Sequence, residues 1–142
     1  MRDQTRLVQW MVLTVKKRTK MKVNKLIPTL YTNEIQKTVD FYVQVLSFKC
    51  KFIDSDVGWA SLQLDEIEIM FALPNDHLPF EKPFFTGSFY LKTDMVDKIW
   101  QQVKDKVEIA YPLENFEYGM REFAIYDNNG YMHQFGEELM EI

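Results

Sequence analysis

The sequence predicts an α+β protein of two βαβββ modules, whose paired and curved mixed sheets enclose a cleft. Three observations lead to this prediction. An apolar stripe with helical spacing follows a strand-like segment twice, at an offset of 61 residues. Each stripe is followed by short runs with the apolar and turn patterns of strands. A single helix covers only one face of a sheet, so two such modules can pair their sheets around a cleft.

The first module begins with a short strand in "KLIPTLYT" (25–32), and Asn33 is expected to cap the helix that follows. "FKCKFID" (48–54) alternates as a half-buried strand. "WASLQL" and "EIEIMFAL" form a hairpin that turns near Asp65 and Glu66. The helix is predicted over residues 34–47 from an apolar stripe of Ile35, Val39, Tyr42, Val43 and Leu46.

The second module repeats this order after a loop (74–83) that contains three prolines. Residues 87–93 form a strand, and Asp94 is expected to cap the second helix. Residues 107–111 form the next strand, and "MREFAIY" and "YMHQF" form the last hairpin around an Asn129–Gly130 turn. The helix is predicted from a stripe of Val96, Ile99, Trp100, Val103 and Val107.

Length and charge restrict the function classes. The 142 residues and an apolar content of 46% are typical of a single globular domain. Residues 1–20 contain six basic residues and one acidic residue, whereas residues 21–142 contain 11 basic and 20 acidic residues. The acidic body argues against a nucleic-acid partner and is compatible with a cationic small molecule, although surface solubility alone also explains it.

Targeting signals and cysteine chemistry add little. Cys50 is the single cysteine, which excludes an internal disulfide and a cysteine-rich zinc site and fits a cytoplasmic protein. No apolar run approaches the ~20 residues of a membrane span, so no membrane partner is expected. In residues 1–20 the apolar run "LVQWMVLTV" precedes "KKRTK", the reverse of a secretory signal. We interpret residues 1–20 as a poorly ordered or non-native extension of a 21–142 domain with modules at about 23–74 and 84–138; a short membrane-surface segment is the alternative.

Two motifs and the duplication resemble a known family. "TVDFY" (38–42) and "YGMREFAIYDNNG" (118–130) resemble segments of the vicinal oxygen chelate superfamily, which includes glyoxalase I, extradiol dioxygenases and bleomycin-resistance proteins. The resemblance covers about residues 23–138. The Arg-Glu-Phe segment is most similar to the bleomycin-resistance branch. The resemblance implies the paired-module fold and a homodimer.

The resemblance also implies where a metal would be bound. Enzymes of this family hold a divalent metal with four residues, usually two histidines and two glutamates, one on each of four strands. These positions fall at Ile27 (or Pro28), Glu68, Ser88 and Gln134. One carboxylate with a hydroxyl and an amide is a poor donor set for such an ion. We therefore expect no metal, no other cofactor and no catalytic residue.

The expected function is metal-free binding and sequestration of a small molecule, cationic or aromatic, as in bleomycin-resistance proteins. The alternative is a lyase, epimerase or dioxygenase of the same superfamily that uses another metal set, such as Glu68 with His133 or His77. A third hypothesis is a non-catalytic domain without a retained ligand. The candidate ligand-binding residues are Glu68, Ser88, Trp59, Phe71, Phe116, Tyr118, Arg121 and Gln134.

Each candidate also has a plain structural interpretation. The aromatic residues could belong to the core, and Glu68 could form a salt bridge within the fold, with Arg121 as a possible partner. His133 is next to Gln134, and neighbours in a strand face opposite sides, so a packed His133 is favoured over a ligand. His77 lies in the proline-rich loop, where a solvated residue is the simpler interpretation.

Overall fold

The computed structural model describes residues 21–77 and 80–140, and it confirms the two-module fold. The predictions for residues 1–20 lie outside the described residues. None of the helices in the described part of the chain is long and apolar enough to cross a membrane. In chain order the elements are β1 (Thr29–Tyr31), α1 (Ile35–Gln44), β2 (Lys49–Asp54), β3 (Trp59–Leu64), β4 (Ile67–Ala72), β5 (Phe89–Lys92), α2 (Val96–Val103), β6 (Glu108–Phe116), β7 (Met120–Tyr126) and β8 (Met132–Glu138).

Each module forms one four-stranded mixed sheet, and neither sheet closes into a barrel. The strand orders are β1-β4-β3-β2 and β5-β8-β7-β6. In each sheet the first strand pairs in parallel with the last, and the remaining pairs are antiparallel. The identical strand order confirms that the second half of the chain repeats the first.

The helix starts differ from the predicted caps. Neither Asn33 nor Asp94 caps its helix, because Glu34 and Met95 are the N-cap residues, and neither of them makes a side-chain capping hydrogen bond. The threonine two residues before each N-cap forms a local turn instead. The Glu34 N–H donates to Thr32 Oγ1, and the Met95 N–H donates to Thr93 Oγ1, both at 3.1 Å. A threonine hydroxyl forms such a local turn readily. The same correction applies to both modules, so the repeat extends to the turn before each helix.

Strand β6 extends five residues beyond its predicted end at residue 111, to Phe116. Its pairing with β7 shifts register between Ile109 and Tyr111 and again between Tyr111 and Glu114. Pro112 lies within the second shift. A proline has no N–H to donate, and it is tolerated here because β6 is an edge strand.

Both modules share one hydrophobic core, and the two motifs of the family resemblance meet in it. Tyr42 from "TVDFY" is fully buried and donates a 2.6 Å hydrogen bond to Asp127, at the start of the β7–β8 turn. The Tyr42 hydroxyl is also 2.8 Å from His133 Nε2. Burial, reinforced by Asp127, raises the pKa of Tyr42 well above its ordinary value, so the phenol remains a neutral donor. We call Tyr42, Asp127 and His133 the module joint.

Candidate ligand-binding faces

Each sheet has one side that packs on the helices and one open side. On β4, Ile69 and Phe71 are buried in the core, whereas Glu68 and Met70 point to the other side. The expectation that Phe71 lines a ligand site is therefore wrong. It is fully buried and packs against Tyr42, with ring centroids 5.1 Å apart.

The repeat register corrects one of the four family metal positions. The Thr32 N–H donates to Ala72 O in the first module, and the Thr93 N–H donates to Gly136 O in the second. The offset is therefore 61 residues at the first strand of each module but 64 at the last. On this register the equivalent of Gln134 is Met70, not Glu68. The four equivalent positions are Ile27, Met70, Ser88 and Gln134.

Glu68 lies on the open side of the first sheet and is already neutralised. Its carboxylate accepts hydrogen bonds from Lys25 and, at 2.6 Å, from the Ser61 hydroxyl. The ammonium group of Lys51 is 3.7 Å away. Hydrogen bonds from Lys25 first and Ser61 second lower the pKa of Glu68 to about 2. Glu68 is therefore the centre of a basic cluster rather than a free carboxylate.

Arg121 is not the partner of Glu68. Its guanidinium donates to Asp97 at 2.9 Å and to Asn115 at 3.0 Å. Asp97 lies on α2, so Arg121 ties the helix to the second sheet. This pairing contradicts the suggested Arg121–Glu68 salt bridge, whereas the place of Arg121 in the ligand-binding set stays a prediction.

The open sides do not fit a divalent metal. Ser88 donates a 2.5 Å hydrogen bond to Gln134, so these two neutral groups satisfy each other. Among residues 21–77 and 80–140, no group of three histidine, cysteine, aspartate or glutamate side chains is arranged to hold a metal. His133 cannot join Glu68, because it is fully buried in the module joint on the helix side. His77 is exposed in the loop after β4. The alternative metal sets are therefore not assembled.

A buried carboxylate that the sequence reasoning missed, Glu122, lies on the open side of the second sheet. It has no exposed surface. Tyr111 donates a 2.7 Å hydrogen bond to one carboxylate oxygen, and Tyr118 donates to the other. Gln134 in turn donates to the Tyr111 hydroxyl at 2.8 Å. Predicted residues Ser88, Gln134 and Tyr118 are thus joined in one network through two residues that were not predicted.

Tyr90 completes this arrangement from β5. Burial first, and then the charge of Glu122, raises the pKa of the Tyr90 phenol. Gly136 is directly opposite Glu122 in the sheet and leaves space for the ring. A Cβ at Gly136 would lie 2.0 Å from the Tyr90 hydroxyl oxygen. We call Tyr90, Tyr111, Tyr118 and Glu122 the tyrosine–glutamate cluster.

Aromatic rings extend the cluster toward solvent. Phe116 stacks on Tyr118 with centroids 5.3 Å apart and an interplanar angle of 15°. Tyr111 meets Phe116 edge to face at 5.6 Å. Tyr118 is 65% exposed, which leaves one aromatic surface available to a ligand. Trp59 is on the other sheet, where it packs against Phe52 at 4.7 Å.

One signal in the last hairpin could have found Glu122. The hairpin register pairs Ala124 with Gln134, so residues 122 and 124 of β7 share a face with Gln134. Alternation along β7 then places Glu122 on the same side as the predicted Gln134. Tyr90 and Tyr111 gave no comparable signal, because their approach to Glu122 depends on the parallel pairing of β5 and the bulges of β6.

A recess of about 880 Å³ also lies between the modules. It is bordered by the C-terminal end of α1, the β3–β4 hairpin, β5 and α2, with apolar residues such as Leu64, Leu91 and Val103 in its wall. None of the predicted ligand-binding residues lines it.

The family model that matches the chain is described as the Glyoxalase/Bleomycin resistance protein/Dioxygenase superfamily, and it covers residues 23–135. The chain belongs to this superfamily. The match spans both modules and confirms the family resemblance of the two motifs. A search of curated proteins finds no match.

Solved structures agree with this fold. A glyoxalase/bleomycin resistance protein/dioxygenase from Nocardioides aligns with a TM-score of 0.71 at 13% identity, covering 97% of this chain and 95% of that one. TnmS3, an antibiotic binding protein from Streptomyces sp. CB03234, aligns with a TM-score of 0.69 at 18% identity, with coverage of 84% and 99%. TioX from Micromonospora sp. ML1 aligns with a TM-score of 0.66 at 18% identity, with coverage of 82% and 100%. At these identities the likeness concerns the fold.

Proposed function

We propose that this member of the superfamily binds and sequesters a small molecule without a metal ion. The observation that favours this function is the set of side chains at the four equivalent strand positions. Ile27 and Met70 offer no hard donor, and Ser88 and Gln134 are neutral and bonded to each other. A divalent ion must exchange its hydration shell for charged or imidazole donors, and these positions supply none.

The open side of the second sheet supports small-molecule binding. It combines exposed aromatic surface at Tyr118 with polar groups fixed by hydrogen bonds, namely Ser88, Gln134 and Glu122. Ligand sites typically have this composition, an apolar or aromatic wall with a few placed polar groups. TnmS3, an antibiotic binding protein with the same fold, supports such a role.

We also propose that two copies of the chain form a homodimer that covers the open faces. Along the described part of the chain, the side-chain hydrogen bonds between modules lie at the module joint and the adjoining β7–β8 turn. None joins the open side of one sheet to that of the other. Each open face is therefore available to a second copy, and two-fold dimers are the commonest oligomers. Sedimentation at tens of micromolar tests this, and a monomer at that concentration contradicts it.

The metal-free proposal is tested on protein purified without added metal. Elemental analysis is expected to find no stoichiometric transition metal, and EDTA is expected to leave the melting temperature unchanged, because a chelator destabilises only a fold that holds a metal. A stoichiometric metal, or a melting temperature that falls with EDTA, would contradict the proposal. The binding part is tested by thermal shift with a panel of aromatic small molecules, in which at least one concentration-dependent rise in melting temperature is expected.

A further inference from the structure

The tyrosine–glutamate cluster has a charge that the rest of the molecule does not balance. In the described part of the chain, no lysine, arginine or histidine forms an ion pair with Glu122. Glu122 is fully buried, and its hydrogen-bond donors are neutral phenols. Burying a carboxylate without a cation is costly, so the arrangement is electrostatically incomplete.

The cross-strand neighbour increases this imbalance. Glu114 on β6 is directly opposite Glu122 in the sheet, so both side chains are on the open side. Like charges at directly opposite positions destabilise a sheet. In contrast, Glu68 on the first sheet is held by Lys25 and Lys51. The two open faces thus have opposite electrostatic character, and the second one favours a positive charge.

The phenols are bonded to this carboxylate and present an aromatic surface to solvent. Burial first, and then the hydrogen bond and charge of Glu122, raise the pKa of Tyr111 to about 12. The hydrogen bond to Glu122 is the first cause that raises the pKa of Tyr118. A phenol that donates to a carboxylate gains electron density in its ring, and the face of an electron-rich ring attracts cations. The exposed Tyr118 ring, backed by Phe116, presents such a face to solvent.

From this geometry we infer that the open side of the second sheet selects an organic cation with a flat aromatic framework, which lies against Tyr118 and Phe116 with Glu122 supplying the opposite charge. This inference rests on the proposed binding function and specifies the ligand class. A delocalised cation fits better than a metal ion or an ammonium ion, because the first surface it meets is a ring rather than an oxygen donor. Glu122 acts through the phenols that cover it.

The test uses three probes with the same fused-ring size: 1-methylquinolinium as the cation, 1-methylnaphthalene as the neutral analogue and 1-naphthoate as the anion. Binding is measured by titration calorimetry on the full chain. We expect the cation to bind more tightly than the neutral analogue by about tenfold. Glu122→Gln should remove most of this preference. Glu137→Gln, which makes the same charge change on β8 opposite Arg121, should preserve it.

The outcomes distinguish the preference for a cation from the binding function itself. Equal binding of the cation and the neutral analogue overturns the cation inference but leaves the binding function standing. Failure of all three probes, each tested up to its solubility limit, contradicts both. Should Glu122→Gln fail to fold, Glu114→Gln and Tyr118→Ala replace it, since both residues are exposed, and an unchanged cation preference in both overturns the inference. Glu122→Gln could instead weaken dimerisation in sedimentation and leave cation binding unchanged. In that case the Glu122 carboxylate forms an ion pair with a lysine of a second copy, and the inference is wrong.

Discussion

Replacing Tyr42 by phenylalanine should be among the most destabilising conservative changes in this protein. Its hydroxyl links the first module's helix to buried ionisable groups of the second module, at 2.6 Å from Asp127 and 2.8 Å from His133. The substitution keeps the ring, which packs against Phe48 and Phe71. The loss is therefore confined to polar contacts in a fully buried place.

The size of the destabilisation depends on the polar groups that lose the Tyr42 hydroxyl as a partner. A hydrogen bond to a charged group contributes about 1.5–3 kcal/mol, and a buried polar group without a partner costs about 1–3 kcal/mol more. Asp127 keeps two backbone donors, the N–H groups of Asn129 and Tyr131, each at 2.9 Å. His133 is more affected, because its Nδ1 already has no partner and its Nε2 would lose Tyr42. Because Asp127 stays bonded, we expect Tyr42→Phe to lower the free energy of unfolding by about 2.5–4 kcal/mol, the lower part of the summed range.

Urea denaturation followed by circular dichroism measures this loss, and Tyr131→Phe is the matched control. The Tyr131 hydroxyl donates 2.6 Å to the backbone oxygen of Tyr31, a bond between neutral groups that also joins the modules. Its loss should cost about 0.5–1.5 kcal/mol. If Tyr42→Phe costs no more than Tyr131→Phe, the buried carboxylate and imidazole do not make the module joint special, and this reasoning fails.

Three further predictions concern pH and the open faces. Because folding raises the pKa of Tyr42, the stability that its neutral phenol contributes is complete below pH ~10 and is lost as the pH rises. Above pH ~10 the free energy of unfolding of the wild type should therefore fall more steeply than that of Tyr42→Phe, by about 1.4 kcal/mol per pH unit. Glu68 behaves oppositely: stability from its lowered pKa is present above its ordinary value of 4.5 and is lost as the pH falls toward about 2. Lys25→Met should move the Glu68 pKa back toward 4.5 in an NMR titration, and an unmoved pKa contradicts the ion pair. Gly136→Ala should displace the far end of the Tyr90 side chain, change stability by under ~1 kcal/mol and weaken 1-methylquinolinium binding in calorimetry; unchanged binding would exclude Tyr90 from the site.

The sequence was sufficient for the architecture because the architecture depends on local patterns. Apolar stripes placed both helices to within a few residues, and alternation placed the strands. The repeat of Thr32 at Thr93 revealed the duplication, although the N-cap positions were predicted one residue too early, at Asn33 and Asp94 instead of Glu34 and Met95. These features depend on neighbours in the chain, so a single sequence contains the information.

The side-chain arrangement of the open faces depends on pairings between residues that are distant in the chain. The sequence alone was insufficient to predict it. The change of offset from 61 to 64 arises from the chain between the two parallel strands of each module, and it moved the ligand position from Glu68 to Met70. Lys25 precedes the strand that was observed, so nothing local marked it as the partner of Glu68. Arg121 and Glu122 are adjacent, but only a fixed register shows which of the two faces α2 and which faces the phenols.

Alternation along β8 has a consequence for how this protein can change over time. His133 and Phe135 are buried on the helix side, whereas Gln134 and Gly136 lie on the open side. Selection for folding and selection for ligand choice therefore act on different residues of the same strand. A deep mutational scan of residues 132–138 should show the two selections with a period of two, abundance at one set of positions and binding at the other. A lineage built on this strand can exchange one ligand for another by a few substitutions while its two modules stay joined.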